Sequence, residues 1–226
     1  MKRRRLSPIE AAYPLPDDFV TSIQTWRQDA ITVLMGYVWE GTRSFANELR
    51  IDLTQDLENL ERGLNQFIAQ RIRDAMTDRP PFYLEHHPFE DQGRSNPPAV
   101  PKAPDLAFFL RANPRASLPI EAKVLDTDEA VAEYVGEINN NFLECRYAPF
   151  SSHGAMLGYL RKGKVDTAIK SVATALTCTL VLLPALKQWN HHTSEHQRKS
   201  KNCRGFPTDF TCHHLIVLLP NGPIAL

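Results

Sequence analysis

Residues 105–125, DLAFFLRANPRASLPIEAKVL, contain two apolar runs on either side of a polar turn. The first run opens with Asp105, and the second carries Glu121 and Lys123. Successive side chains of a strand point to opposite faces, so Glu121 and Lys123 share one face while the residues between them point into a core. The Asn113-Pro114 pair predicts a chain reversal between the runs. We therefore expect two neighbouring strands that bring Asp105 close to Glu121.

The composition and length indicate one globular domain. The chain has 226 residues, of which 42% are hydrophobic and 23% are charged, which excludes disordered and fibrous classes. We predict a single domain over 1–226, with N-terminal helices in 1–76 and the core of the domain in 77–226. Lys plus Arg and Asp plus Glu number 26 each, so a nucleic-acid partner would have to bind local basic patches.

The ends and the apolar segments of the chain predict a cytoplasmic protein without a membrane span. No apolar stretch follows the basic start at 2–5, as a secretion signal would require. The longest apolar stretch, 172–186, is interrupted by threonines and a proline and is too short to cross a bilayer, which favours a buried core segment. The four cysteines show no regular spacing, and we expect reduced thiols.

Periodicity along the chain predicts helices around a sheet. Apolar residues recur at helical spacing over 18–76, which predicts two helices broken near Gly41; in the second, Glu58 and Glu61 lie beside the apolar stripe. Prolines exclude a helix from 78–104. The remaining predicted elements are strands at 82–84, 151–160, near Leu180 and at 213–219, helices at 131–142 and 164–176, and a polar loop at 187–205.

The acids and the lysine of the central stretch suit metal-assisted chemistry on a phosphodiester. Mg²⁺ prefers oxygen ligands, which Asp105, Glu121 and the backbone carbonyl of Ala122 could supply together. Lys123 lies two residues beyond Glu121 on the same face, so it can orient or deprotonate an attacking water and offset charge on the phosphate.

Pro104-Asp105, a gap and then Glu121-Ala122-Lys123 resembles the signature of the PD-(D/E)xK nuclease superfamily. The resemblance covers about residues 50 to 160 and implies a restriction-endonuclease-like mixed central sheet flanked by helices, with an N-terminal helical segment. It implies Mg²⁺ on Asp105 and Glu121, with Mn²⁺ as an alternative ion, and a further acid on the preceding helix, for which Glu58 is the first choice and Glu61 the second.

The same resemblance implies a deoxyribonuclease that leaves a 5′-phosphate and a 3′-hydroxyl, acting in restriction or as a bacterial defence-type nuclease. The chain after the motif resembles the corresponding region of some of these defence nucleases. Residues that could contact a nucleic-acid backbone lie in this region and among the basic residues of the polar loop at 187–205, where Trp189 could stack on a base. These candidates are Arg146, His153, Arg198, Lys199 and Lys201.

Several alternatives stay open at this point. Glu121 and Lys123 could be the solvated face of an edge strand, and the chain could bind nucleic acid or protein on the same fold without catalysis. RNA could replace DNA as the substrate, because phosphate contacts carry little information on the sugar. A homodimer would suit the cutting of both strands. A zinc site is the last alternative, with donors His191, His192, His196, Cys203, Cys212, His213 and His214.

Overall fold

A mixed sheet of seven strands forms the centre of the computed structural model, which describes residues 28–48, 56–77, 80–88, 103–147 and 149–220. The basic start at 2–5 and much of the proline-rich 78–104 segment lie outside these residues. The strands are β1 (Phe82–His86), β2 (Leu106–Leu110), β3 (Asn113–Leu125), β4 (His153–Leu160), β5 (Val181–Leu182), β6 (His192–Gln197) and β7 (Asp209–Leu218).

Helices flank this sheet. They are α1 (Gln28–Arg43), α2 (Phe45–Glu48), α3 (Leu57–Ala75), α4 (Ala132–Glu137) and α5 (Val165–Leu176); a π-helical turn, Ile138–Phe142, continues α4, and 3-10 turns span Pro184–Trp189 and Lys201–Cys203. Within the part of the chain that the structure describes, no helix is long and apolar enough to cross a membrane.

The strand order is β1-β2-β3-β4-β7-β6-β5. β1, β2 and β3 form an antiparallel meander, and β3, β4 and β7 run parallel to one another. The connections between the parallel strands contain α4 and α5, as parallel pairing requires. β6 and β5 then pair antiparallel beyond β7. The predicted α/β class, with a mixed sheet flanked by helices, is confirmed.

Each face of the sheet buries its own core. Ile120, Ala122 and Val124 of β3 pack with the apolar faces of α1 and α3. On the opposite face Leu125 and Met156 pack under α4 and α5. The alternation predicted for β3 therefore holds for its apolar residues, and it leaves Glu121 and Lys123 on the face of α4.

Helices α1 and α3 pack closely at a glycine. The predicted break near Gly41 is displaced, because α1 continues to Arg43. A Cβ atom at Gly41 would lie 2.9 Å from the Cγ1 atom of Ile72 on α3, closer than carbon atoms approach without displacement. This glycine therefore serves the close contact between the helices rather than a break.

Two loop predictions differ from the structure. The reversal between β2 and β3 falls at Arg111–Ala112, and Asn113-Pro114 belongs to β3, where the register of pairing with β2 shifts. The predicted polar loop at 187–205 contains β6, in which the buried Ser194 forms hydrogen bonds with His196 and with His214 of β7. β6 contains no aliphatic or aromatic hydrophobic residue, so the sequence shows no alternation of polar and apolar residues that would predict a strand.

The longest apolar stretch of the sequence, 172–186, was predicted as buried core, and that prediction is wrong for most of the segment, in which only Val172 and Leu186 are buried. Val181 and Leu182 form the edge strand β5 and are 58% and 42% exposed. An edge strand pairs on one side only, and no further layer covers these two side chains in the described part of the chain.

Two of the four cysteines form a disulfide, which corrects the expectation of reduced thiols. Cys145, after the π-helical turn, and Cys203, after β6, are 58 residues apart in sequence, with Cα atoms separated by 5.3 Å. Cys178 and Cys212 are free. The pairing depends on two loops that meet only in the folded chain, and cysteine spacing gives no information on such a meeting.

We expect the disulfide to contribute to stability. A cross-link over a loop of this length restricts the unfolded chain, so replacing both cysteines in a Cys145→Ser/Cys203→Ser variant should lower the free energy of unfolding by about 2–4 kcal/mol. Urea unfolding of the oxidised protein measures the loss, and Cys178→Ser, which keeps the disulfide, is the control. Equal stability of the double variant and the control would contradict the expectation.

Candidate active site

The C-terminal half of β3 has an open side where β2 has not yet begun. The first residue of β2 pairs with Ile120, so the following residues of β3 have no strand partner on that side. A residue in a strand directs its N–H and C=O groups to the same side, and successive residues alternate. The carbonyl of Leu125 accepts a bond from the β4 side, which places the backbone groups of Ala122 and Val124 on the open side.

Asp105 and Glu121 meet at this open side. The N–H of Ala122 donates to Asp105 Oδ2 at 2.8 Å, and the N–H of Asp105 donates to Glu121 Oε2 at 3.3 Å. Both side chains are buried, with relative exposures of 8% and 5%. The carbonyl of Ala122 points to the same side. The structure thus brings together the three groups that the sequence predicted as neighbours.

The helix acid at this site is Glu61, not Glu58. The side chain of Glu58 is 84% exposed and pairs with Arg62 at 3.0 Å, so the first choice made from the sequence is corrected. Glu61 lies one turn further along α3, where its carboxylate accepts from Lys123 Nζ at 2.8 Å and from the N–H of Val124 at 3.2 Å. The two acids lie about one helical turn apart, and only Glu61 contacts β3.

Lys123 stands among carboxylates. Its Nζ lies 2.8 Å from Glu61 Oε1 and 3.4 Å from Glu121 Oε1, and its side chain is only 14% exposed. Burial alone would lower the pKa of Lys123, but the charges of Glu121, Glu61 and Asp105 outweigh it and raise the pKa above its ordinary value. The amine is therefore protonated at neutral pH and acts as a fixed cation.

The acids carry more negative charge than Lys123 balances. Burial raises the pKa of Asp105, of Glu121 and of Glu61, and at Glu121 the nearby charge of Asp105 raises the pKa further. Glu137, on α4, adds another negative charge that acts on both Asp105 and Glu121. With all four acids ionised the cluster would hold one cation against four anions, which favours binding of a further cation.

Sequence reasoning did not single out two other parts of this site. Glu137 accepts a hydrogen bond from the side chain of Asn141 in the π-helical turn. Asn65 follows Glu61 by one turn of α3, is fully buried, and accepts from Tyr159 Oη at 2.8 Å. The signal for Asn65 was available, because a polar residue inside the apolar stripe of a helix requires a buried partner.

The donor set fits Mg²⁺ in type and charge. Within the described ranges, no group of three or more His, Cys, Asp or Glu side chains is arranged to hold a metal ion. Mg²⁺ is commonly held by one or two carboxylates, with waters and substrate phosphates completing the shell. Asp105, Glu121 and the carbonyl of Ala122 provide such a partial set of hard oxygen ligands, and the excess negative charge is of the required sign.

The predicted nucleic-acid contacts lie elsewhere. Arg198 is 3% exposed and donates to the backbone carbonyls of Phe142 and Ser151 at 3.0 and 2.7 Å, so it holds loops together and is not available to a substrate, which corrects its prediction. His153 is at the start of β4, half-buried. Arg146, Lys199 and Lys201 are exposed near the same end of the sheet.

Two of the histidines predicted as zinc donors, His191 and His213, belong to a hydrogen-bonded chain instead. Trp39 Nε1 donates to His191 Nδ1 at 3.0 Å, His191 Nε2 lies 2.9 Å from His213 Nδ1, and His213 Nε2 lies 3.4 Å from His153 Nδ1. Burial lowers the pKa of His191 to about 3 and that of His153 to about 4. These neutral rings are arranged in series and do not surround one point.

Replacing Glu121 should remove the pH dependence of stability that the burial of this acid causes. Because the folded pKa of Glu121 lies above its ordinary value of 4.5, its contribution to stability is present below that pH and is lost as the pH rises through the folded pKa. In EDTA, Glu121→Gln should therefore gain stability relative to wild type between pH 5 and pH 8, by roughly 1 kcal/mol or more. Mg²⁺ should stabilise wild type more than the variant.

Urea unfolding at each pH, with and without Mg²⁺, measures both effects. The difference between the two proteins cancels the contribution of the buried histidines. Glu58→Gln is the matched control, since its exposed carboxyl should give a profile parallel to wild type. Parallel profiles for Glu121→Gln as well would show that the buried acid is not destabilised in the fold.

Comparison with known proteins gives no relative for this arrangement. No family model, curated protein sequence or solved structure matches the chain. What the protein does must therefore be inferred from the site itself: the open side of β3, the buried acids Asp105 and Glu121, the helix acid Glu61 and the protonated Lys123.

Proposed function

We propose that the protein is an Mg²⁺-dependent nuclease that hydrolyses phosphodiester bonds of DNA. The observation that carries the proposal is the convergence of Asp105, Glu121 and Lys123 at the open side of β3, with Asp105 and Glu121 joined by a hydrogen bond of 3.3 Å. Mg²⁺, when bound, would polarise a phosphate oxygen and lower the pKa of a bound water. Asp105, Glu121 and the carbonyl of Ala122 would hold it.

Lys123 serves such a reaction as a cation and not as a base. Without a bound ion, the carboxylates around Lys123 raise its pKa and keep the amine protonated at neutral pH. A protonated amine at 3.4 Å from Glu121 can donate to the attacking water or to a phosphate oxygen and stabilise the charge of the transition state. Of the two roles expected from the sequence, orientation of water is the one that this electrostatic environment supports.

Glu61 positions Lys123. Its carboxylate joins the amine of Lys123 to the backbone of Val124, so the long side chain is held in one direction before any substrate arrives. Holding a group in place beforehand removes the cost of ordering it during the reaction. Asn65 and Tyr159 tie the next turn of α3 to β4 and thereby support the same helix face.

The strand arrangement agrees with a restriction-endonuclease-like fold. An antiparallel meander leading into β3, a helix, and β4 parallel to β3 place the acid and the Glu-x-Lys strand side by side, as the PD-(D/E)xK resemblance implies. By that resemblance the products are a 5′-phosphate and a 3′-hydroxyl, and the role is restriction or defence.

Cleavage of plasmid DNA with Mg²⁺ or Mn²⁺ tests the proposal. We expect nicking or linearisation by wild type and losses of roughly 100-fold or more for Asp105→Asn, Glu121→Gln and Lys123→Ala, because each removes a group that would hold the ion or stabilise the transition state. An RNA substrate of equal length, assayed in parallel, decides between deoxyribonuclease and ribonuclease.

Two glutamates of α3 provide a matched pair of controls. Glu61→Gln should lower cleavage by roughly tenfold or more, since it releases Lys123, whereas Glu58→Gln should cleave like wild type. If wild type cuts no nucleic acid with either metal, or if Asp105→Asn cuts equally well, the nuclease assignment is wrong. Binding without cleavage would then favour a non-catalytic nucleic-acid-binding protein.

A further inference from the structure

A cationic loop lies at the end of the sheet where β4 and β7 begin. Residues 198–206, called the basic loop below, follow β6 and contain no acid. Lys199, Lys201 and Arg204 are exposed, whereas Arg198 is buried. Glu144, on the neighbouring turn, accepts hydrogen bonds from the loop and keeps its negative charge, so three exposed cations against one acid leave this surface with a net positive charge.

The basic loop is held in place from three directions. The buried guanidinium of Arg198 donates to two backbone carbonyls and lies 4.2 Å from the ring centre of Phe210. Glu144 Oε2 accepts from Ser200 Oγ at 2.5 Å and from Asn202 Nδ2 at 2.9 Å. The disulfide joins the loop to the turn after α4. The exposed cations therefore stand on an ordered backbone, unlike those of a flexible tail.

The loop and the acidic site are connected by one surface. Glu121 pairs with Met156 of β4, five residues beyond Ser151, which the loop contacts through Arg198. At about 3.3 Å per residue this offset is about 17 Å along the strands, or five base pairs of duplex. α4 and its π-helical turn lie over this interval, and they carry Glu133 and Glu137 but no Lys or Arg, so phosphate contacts come from the loop and not from this helix.

We propose that the basic loop is a docking surface for the phosphates of a DNA duplex that extends from the loop to the acidic site. Lys199, Lys201 and Arg204 each neutralise one phosphate. The choice of DNA rests on the proposed function, whereas the location of the contact rests on the loop alone. Such contacts position the duplex and read no sequence. Because the loop is ordered beforehand, binding has little backbone entropy to remove.

Salt-dependent binding tests the surface without cleavage. A labelled 20-base-pair duplex is titrated in EDTA at several NaCl concentrations with wild type and with the Lys199→Ala/Lys201→Ala/Arg204→Ala variant. Loss of three phosphate contacts should weaken binding roughly ten- to a hundredfold and make the slope of log K against log salt shallower by about 2 to 3. The control is Lys162→Ala/Lys164→Ala/Lys170→Ala, which removes three exposed charges at the other end of the sheet and on α5.

One further variant separates charge from order, and cleavage by wild type separates binding from catalysis. Cys145→Ser keeps the three cations and releases the loop, so we expect weaker binding with an unchanged slope; circular dichroism checks that the variant is folded. Binding lost in the triple variant but no cleavage by wild type would overturn the nuclease and retain the surface. Cleavage by wild type with equal binding by triple variant and control, or no binding by wild type, would overturn the surface.

Discussion

The late start of β2 leaves two amides of β3 without a neighbouring strand, and the site depends on how those amides are satisfied. A buried N–H group without a partner is costly, so the N–H groups of Ala122 and Val124 require acceptors. Asp105 and Glu61 supply them with carboxylate oxygens at 2.8 and 3.2 Å. The same bonds that complete the strand fix the positions of two acids.

That solution leaves a charge imbalance inside the protein. Buried acids close to one another are destabilised as anions, and Lys123 compensates only part of their charge. Stability alone would be served better by apolar or amide side chains at these positions. Perturbed carboxyl groups that gather in one place are typical of functional sites, and this electrostatic cost supports the proposal that the cluster binds a ligand.

The sequence predicted the strand pair because its signal is local. Alternation in β3 and the short turn to β2 bring Asp105 to Glu121 regardless of the rest of the fold. The choice between Glu58 and Glu61 was not local. Both lie beside the apolar stripe of α3, and the rotation at which the helix docks on the sheet decides which one faces β3.

Three other predictions were wrong because they depended on how distant parts of the chain meet in the fold. Cys145 and Cys203 are joined because two distant loops meet, and no spacing rule describes that meeting. Arg198 was expected at the surface on account of its charge, yet its planar donors fit two backbone carbonyls that need partners, which makes burial favourable. Val181 and Leu182 were expected inside on account of their apolar side chains, yet their place at the sheet edge leaves them exposed.

The contacts that hold α3 against the sheet also set the geometry of the site. Glu61 reaches β3, and one turn later Asn65 receives the hydroxyl of Tyr159 from β4, so a single helix face spans both strands. A change in the packing of α3 would therefore move the carboxylate that directs Lys123. The position of the lysine is in this way a property of the helix–sheet interface rather than of β3 alone, and the short Glu-x-Lys motif acquires its geometry only when α3 is docked.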